Sequence, residues 1–140
     1  MNLERLMRII EDMQDCIDDI DECLMILETR KNDEIVVKLS KSSLRQLFVS
    51  YHTILEDFCS IILKEIKKYK IGISLYESIL TLRDNNIIDE ETYIFLEKSR
   101  LIKNRISHRY KDPKHEELIK HIEMFRPELD KVLIAAKKYI

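Results

Sequence analysis

Leu3–Leu27 reads LERLMRIIEDMQDCIDDIDECLMIL. Within it Leu3, Leu6, Ile10, Met13, Ile17, Ile20, Leu24 and Leu27 follow one another at alternating steps of three and four residues. An α-helix repeats every 3.6 residues, so this spacing lays the apolar groups along one seam for more than three heptads. The spacing predicts a helix over about 2–29. Its seam should pack lengthwise, at a shallow angle, against a second long helix of the same chain or of another copy.

The rest of the chain agrees with a helical reading. Among 140 residues there is one glycine, Gly72, and there are two prolines, Pro113 and Pro127. So few chain breakers leave room for long helices and few turns. Charged residues make up 36% and hydrophobic ones 45%, which suits an all-α bundle with solvated outer faces, in one domain spanning 1–140. No run approaches the roughly 20 apolar residues of a membrane span. The N-terminal residues are acidic from Glu4 onward and lack an apolar stretch, so a cytoplasmic protein without membrane contact is expected. Cys16 and Cys23 are seven residues apart, about 10 Å along a helix and too far for a disulfide. With no C-x-x-C pair, the three cysteines (Cys59 is the third) read as buried, reduced thiols, and neither zinc nor another cofactor is expected.

Arg30–Asp33 is polar and makes a short connection. A second helical region follows over about 33–70, with a possible restart at Ser40–Ser43. Leu44, Leu47, Phe48, Tyr51, Leu55, Phe58, Ile62 and Ile66 give it the broad apolar face of a central helix. His52 sits beside that face, where a structural histidine is the simpler reading. Gly72 should end the region. Ser74-Leu75-Tyr76-Glu77 is a capping box that opens a short third helix. Asp89 is the expected N-cap of a fourth helix over about 90–110, stopped by Asp112-Pro113. Asp112 should then cap a fifth helix with Pro113 at its first position, and Pro127 should kink that helix near Phe125. The expected architecture is an antiparallel up-and-down bundle of four long helices and a short one.

Charge is uneven. Residues 1–34 hold eleven acids and four bases, whereas 98–114 hold seven bases (Lys98, Arg100, Lys103, Arg105, Arg109, Lys111 and Lys114) and one acid, Asp112. A basic stretch in a near-neutral chain fits a phosphate-bearing partner such as RNA or a nucleotide, and equally a solvated helix face. Phosphate-cradling glycine loops, the H-E-x-x-H metal motif and the G-x-S-x-G nucleophile elbow are all missing. His115 and His121 have no ligand spacing and read as surface residues. The chemistry that is left lies in Leu101–Pro113. There Asn104 and Arg105 precede His108 by four and three residues, so on a helix all three point the same way. An imidazole can move protons and guanidinium groups can hold a phosphate, which together would suit metal-free cleavage of RNA.

The segment Lys103-Asn104-Arg105-Ile106-Ser107-His108-Arg109-Tyr110 resembles the Arg-Asn-x-x-x-His-x-Tyr motif of the HepT-like branch of the HEPN superfamily. Leu75–Leu80, Asn86–Glu91 and Pro127-Glu128-Leu129 are similar to the same family's middle and C-terminal regions. Asn104, His108 and Tyr110 match the motif, and Lys103 stands where the family has arginine. The resemblance implies a helical bundle that forms a homodimer, with two motif helices meeting in a composite cleft. It also implies a ribonuclease toxin paired with a nucleotidyltransferase antitoxin. His108, Asn104 and Lys103 would then be catalytic, and Lys103, Arg105, Arg109 and Arg100 would hold phosphate. Tyr110 would be the residue a partner adenylylates. The alternative within the family is a non-catalytic helical dimer that binds a nucleotidyltransferase or a nucleotide. Lysine keeps the charge of the motif arginine but not its planar fork, so Arg105 or Arg100 could take over that role.

Overall fold

The structure is a computed structural model and describes residues 1–109 and 111–140. The described residues form six helices and no strand: α1 (Leu3–Thr29), α2 (Glu34–Glu65), α3 (Leu75–Asp84), α4 (Glu90–Ser107), α5 (His115–Met124) and α6 (Arg126–Lys137). The chain is all-α, as the periodicity implied. No described helix is long and apolar enough to cross a membrane.

Helix starts are set by side chains that accept an otherwise unpaired amide. Asn2 accepts from Arg5, Asp33 from Val36, Ser74 from Glu77 and Asp89 from Thr92, at 2.8–3.2 Å. Helix ends are set by the backbone. With one glycine in the chain, lysine and asparagine take the left-handed position that glycine usually fills: Lys67 has φ 61° and Asn86 has φ 57°. Behind each, two amides fold back onto the last turn. Lys68 donates to the Leu63 carbonyl and Lys67 to that of Lys64; Ile87 donates to Leu82 and Asn86 to Arg83. These are Schellman closures.

α1 and α2 form an antiparallel pair. The N-terminal ammonium lies 3.6 Å from Glu65, Arg5 lies 3.8 Å from Asp57, and the Cys16 thiol meets the Leu47 carbonyl at 3.4 Å. Most of the predicted seam is inside: Leu6, Ile10, Met13, Ile17 and Ile20 are buried against a core that includes Leu44, Phe48, Leu55, Phe58 and Ile62 of α2. The seam outlasts its cover. α6 begins opposite Asp21, which Arg126 grips with two guanidinium nitrogens at 2.6 and 2.7 Å. Beyond that point Leu24, Leu27, Val36 and Val37 are half-buried, and Met25, Ile35 and Leu39 are exposed.

Several expectations about boundaries are corrected. α2 runs unbroken through Ser40–Ser43, because Ser40 is buried against the neighbouring packing and cannot free a cap. It ends at Glu65, not near Gly72, because Lys67 closes it; Gly72, with φ 79°, lies in the loop that follows. α4 stops at Ser107, short of the expected 110, with Arg109 already left-handed at φ 51°. Asp112 caps no helix; Lys114 precedes α5 and makes no side-chain cap, while Asp112 pairs with Arg45. The expected kinked fifth helix is two helices. Phe125 at φ −109°, ψ 17° separates them, and Pro127 sits in the first turn of α6, where its missing amide costs nothing.

Leu55 is fully buried in α2. Leu55→Ala should therefore lower unfolding stability by about 2–5 kcal/mol, read as a lower urea midpoint at unchanged slope, with the helical circular-dichroism signature retained at low denaturant.

Candidate functional site

α4 presents two unlike faces. Phe95, Leu96 and Ser99 point into the core. On the opposite side lie Ile94, Glu97, Leu101, Asn104 and His108, steps of three and four residues that keep a single line on a helix. Ile94 is 39% exposed and Leu101 53%, and Tyr76 of α3 is 43% exposed nearby, with the Arg100 guanidinium 5.3 Å from its ring centre. The exposed side of α4 is thus an apolar stripe that runs into two polar groups at its C-terminal end.

Asn104 lies in the last turn of α4 and His108 just beyond the helix, four residues on. His108 is the C-cap that follows Ser107, and its amide donates to the Asn104 carbonyl at 3.0 Å. Its side chain is exposed. Lys103 lies about 100° around the helix from Asn104, on the side facing α2. Its ammonium is close enough to His52 to disfavour a charge there. Arg109 is exposed. Tyr110, the candidate for adenylylation, lies outside the described residues.

The two other candidate phosphate ligands are engaged with carboxylates. Arg100 holds Glu97 through two nitrogens, at 2.6 and 3.1 Å. Arg105 holds Glu117 of α5 in the same paired fashion, at 2.5 and 3.1 Å, and its Nε donates to the Lys111 carbonyl at 2.8 Å. The arginine keeps the Glu117 carboxyl below the usual carboxylate range. The turn after His108 is held from the other side as well. Arg45 of α2 donates to Asp112 at 2.8 Å and to the Pro113 carbonyl. The turn is a strained one. Arg109 (φ 51°) and Lys111 (φ 48°) are both left-handed without being glycine, at a cost of about 1–2 kcal/mol each.

Beneath this surface are two buried histidines. His52 is fully buried; its Nδ1 meets the Phe48 carbonyl at 2.8 Å and its Nε2 has no hydrogen-bond partner among the described residues. Burial, reinforced by Lys103 and His121, pushes its pKa down to about 4. His121 corrects the expectation of a surface residue. It is 8% exposed, stacks on Phe95 at 5.5 Å, contacts Phe125 and bonds Ser99 Oγ at 2.7 Å through Nε2. Burial, with Lys98 adding to it, lowers its pKa to about 4. A serine–histidine pair suggests a nucleophile, but Ser99 is fully buried and no substrate reaches it. The thiols are equally withdrawn: burial raises Cys16 to about 11 and Cys59 to about 12, so they stay protonated and poorly nucleophilic. Among the described residues no group of three histidine, cysteine or carboxylate side chains could hold a metal ion.

Sequence reasoning did not find Arg45, Glu97 or Glu117. Arg45 and Asp112 are 67 residues apart, and Arg105 and Glu117 lie on different helices, so no local spacing marks either pair. Glu97–Arg100 is the exception: a three-residue step on one helix is a recognisable ion-pair spacing. No family model, curated protein or solved structure matches this chain.

Both buried imidazoles are neutral in the folded protein, whereas an unfolded chain protonates them near pH 6.5. Between pH 6.5 and about 4 the unfolded state therefore binds more protons, and stability falls as pH falls. The loss should reach about 1 kcal/mol per pH unit for each imidazole and flatten below pH 4. Urea denaturation across pH 7 to 4 measures it, and His121→Phe should reduce the slope in that window.

Proposed function

We propose that the protein is a metal-independent ribonuclease of the HEPN type, acting as a homodimer of up-and-down antiparallel bundles whose α4 faces meet. The observation that carries this reading is the exposed line on α4. Ile94 and Leu101 offer apolar surface for a second copy, and the line ends on Asn104 and His108, where a cleft shared by two copies would form. A twofold contact along this line brings two His108 side chains to one place. One takes the proton of a ribose 2′-hydroxyl as that oxygen attacks phosphorus. The other delivers a proton to the departing 5′-oxygen, leaving a 2′,3′-cyclic phosphate. Asn104 orients an imidazole or a phosphate oxygen. Lys103 and Arg109 offset charge on the phosphorane, since Arg100 and Arg105 are occupied by Glu97 and Glu117. The Tyr110 hydroxyl is the group that a nucleotidyltransferase partner would modify.

The second reading is a non-catalytic helical dimer that binds a nucleotidyltransferase or a nucleotide. The commitment of Arg100 and Arg105 to carboxylates favours it, because two of the candidate N–H forks are then withdrawn from the phosphorane.

Three measurements test the reading. Purified protein in EDTA should cleave single-stranded RNA and leave cyclic phosphate ends, and His108→Ala should abolish this; RNA left intact by the wild type favours the second reading. Lys103→Arg should raise cleavage about ten- to a hundredfold, as expected for one charge-assisted hydrogen bond of about 1.5–3 kcal/mol. Leu101→Glu should convert a light-scattering dimer into a monomer and remove cleavage with it. A wild-type monomer at micromolar concentration would defeat the composite cleft.

A further inference from the structure

We propose that Arg45 is a positioning residue for the turn that carries His108, acting with Arg105 as a two-sided clamp. The chemical purpose of the clamp rests on the ribonuclease reading above; its geometry does not.

Three consecutive residues of the turn are each held by a guanidinium. Arg105, from α4, donates to the Lys111 carbonyl at 2.8 Å. Arg45, from α2, donates to the Asp112 carboxylate at 2.8 Å and to the Pro113 carbonyl. The remaining nitrogens of Arg105 are fixed on Glu117, so α2, α4 and α5 all bear on one short segment. The Arg45 side chain is only 19% exposed, and Pro113 beneath it is buried. A guanidinium with two fixed acceptors and so little exposure is a strut and not a surface group awaiting phosphate.

The segment needs such a strut. Arg109 and Lys111 both occupy the left-handed region without being glycine. Left alone, such residues relax to right-handed or extended backbone, and the relaxation would swing the end of α4 on which His108 sits. The two arginines work because a planar fork donates in two directions at once. Lysine in place of Arg45 supplies one point charge and can satisfy Asp112 or Pro113 but not both.

The test uses the native folded chain. Trypsin cuts after arginine and lysine, so Arg109 and Lys111 report directly on opening of the turn. Arg45→Ala should speed cleavage after these two residues about tenfold, with the melting temperature within a few degrees of wild type. The His108 imidazole signal in NMR should shift and broaden while that of His52 stays put. Arg45→Lys should not restore either readout. On RNA, kcat should fall about tenfold with KM within about twofold, because a displaced base slows the step without loosening the phosphate contacts. Asp112→Asn, at an exposed position, weakens the same clamp and serves if Arg45→Ala does not fold. Cleavage rates and a His108 signal identical to wild type in the folded variant would overturn the proposal. If wild type leaves RNA intact, the ribonuclease reading falls and the cleavage and NMR arms still decide the clamp.

Discussion

The antiparallel packing of α1 on α2 is the contact on which everything else rests. It buries the α1 seam along most of its length and, by doing so, fixes the rotation of α2 about its own axis. α2 is then the helix that the others use. α1, α3 and α4 all pack on it, and it supplies Leu44, Phe48, Leu55 and Phe58 to the core. It also supplies both residues that reach the candidate site from behind, Arg45 and His52. Arg45 follows the fully buried Leu44, so its direction is set by how Leu44 packs. The position of Asp112 and Pro113 is thereby tied to a helix remote from them in sequence.

What could be read from the sequence was whatever depends on near neighbours. The α1 seam, the caps at Ser74 and Asp89 and the four-residue step from Asn104 to His108 are all matters of local spacing. What could not be read depends on partners brought in by folding. Asp112-Pro113 looks like a helix start, yet Arg45 takes the carboxylate and α5 begins two residues later. His121 looks like an exposed base on a charged helix, yet Phe95, Phe125 and Ser99 enclose it. A smooth helical pattern continues through Phe125, but Pro127 is better accommodated in the first turn of a new helix than inside an old one.

Formal charge also overstated the field of the site. Of the bases between 98 and 114, Arg100 and Arg105 are each neutralised by a paired carboxylate. Lys98 lies over the Phe125 ring at 5.5 Å. The charge on this stretch is therefore less than the count of lysines and arginines suggested.

The uncovered end of the α1–α2 pair makes the hairpin unequal along its length. Near Leu6 and Phe58 the helices are enclosed, and opening there exposes core shared with the rest of the molecule. Past Asp21 the pair has half-buried contacts and exposed Met25, Ile35 and Leu39, so little apolar surface opposes separation of the two helix ends there. Amide hydrogens should consequently exchange along a gradient: fastest at the connection around residues 30–33, slower toward Ile17, and at the rate of global unfolding around Phe58. The molecule frays from its tip inward, while the other end of the hairpin stays shut until the whole fold is lost.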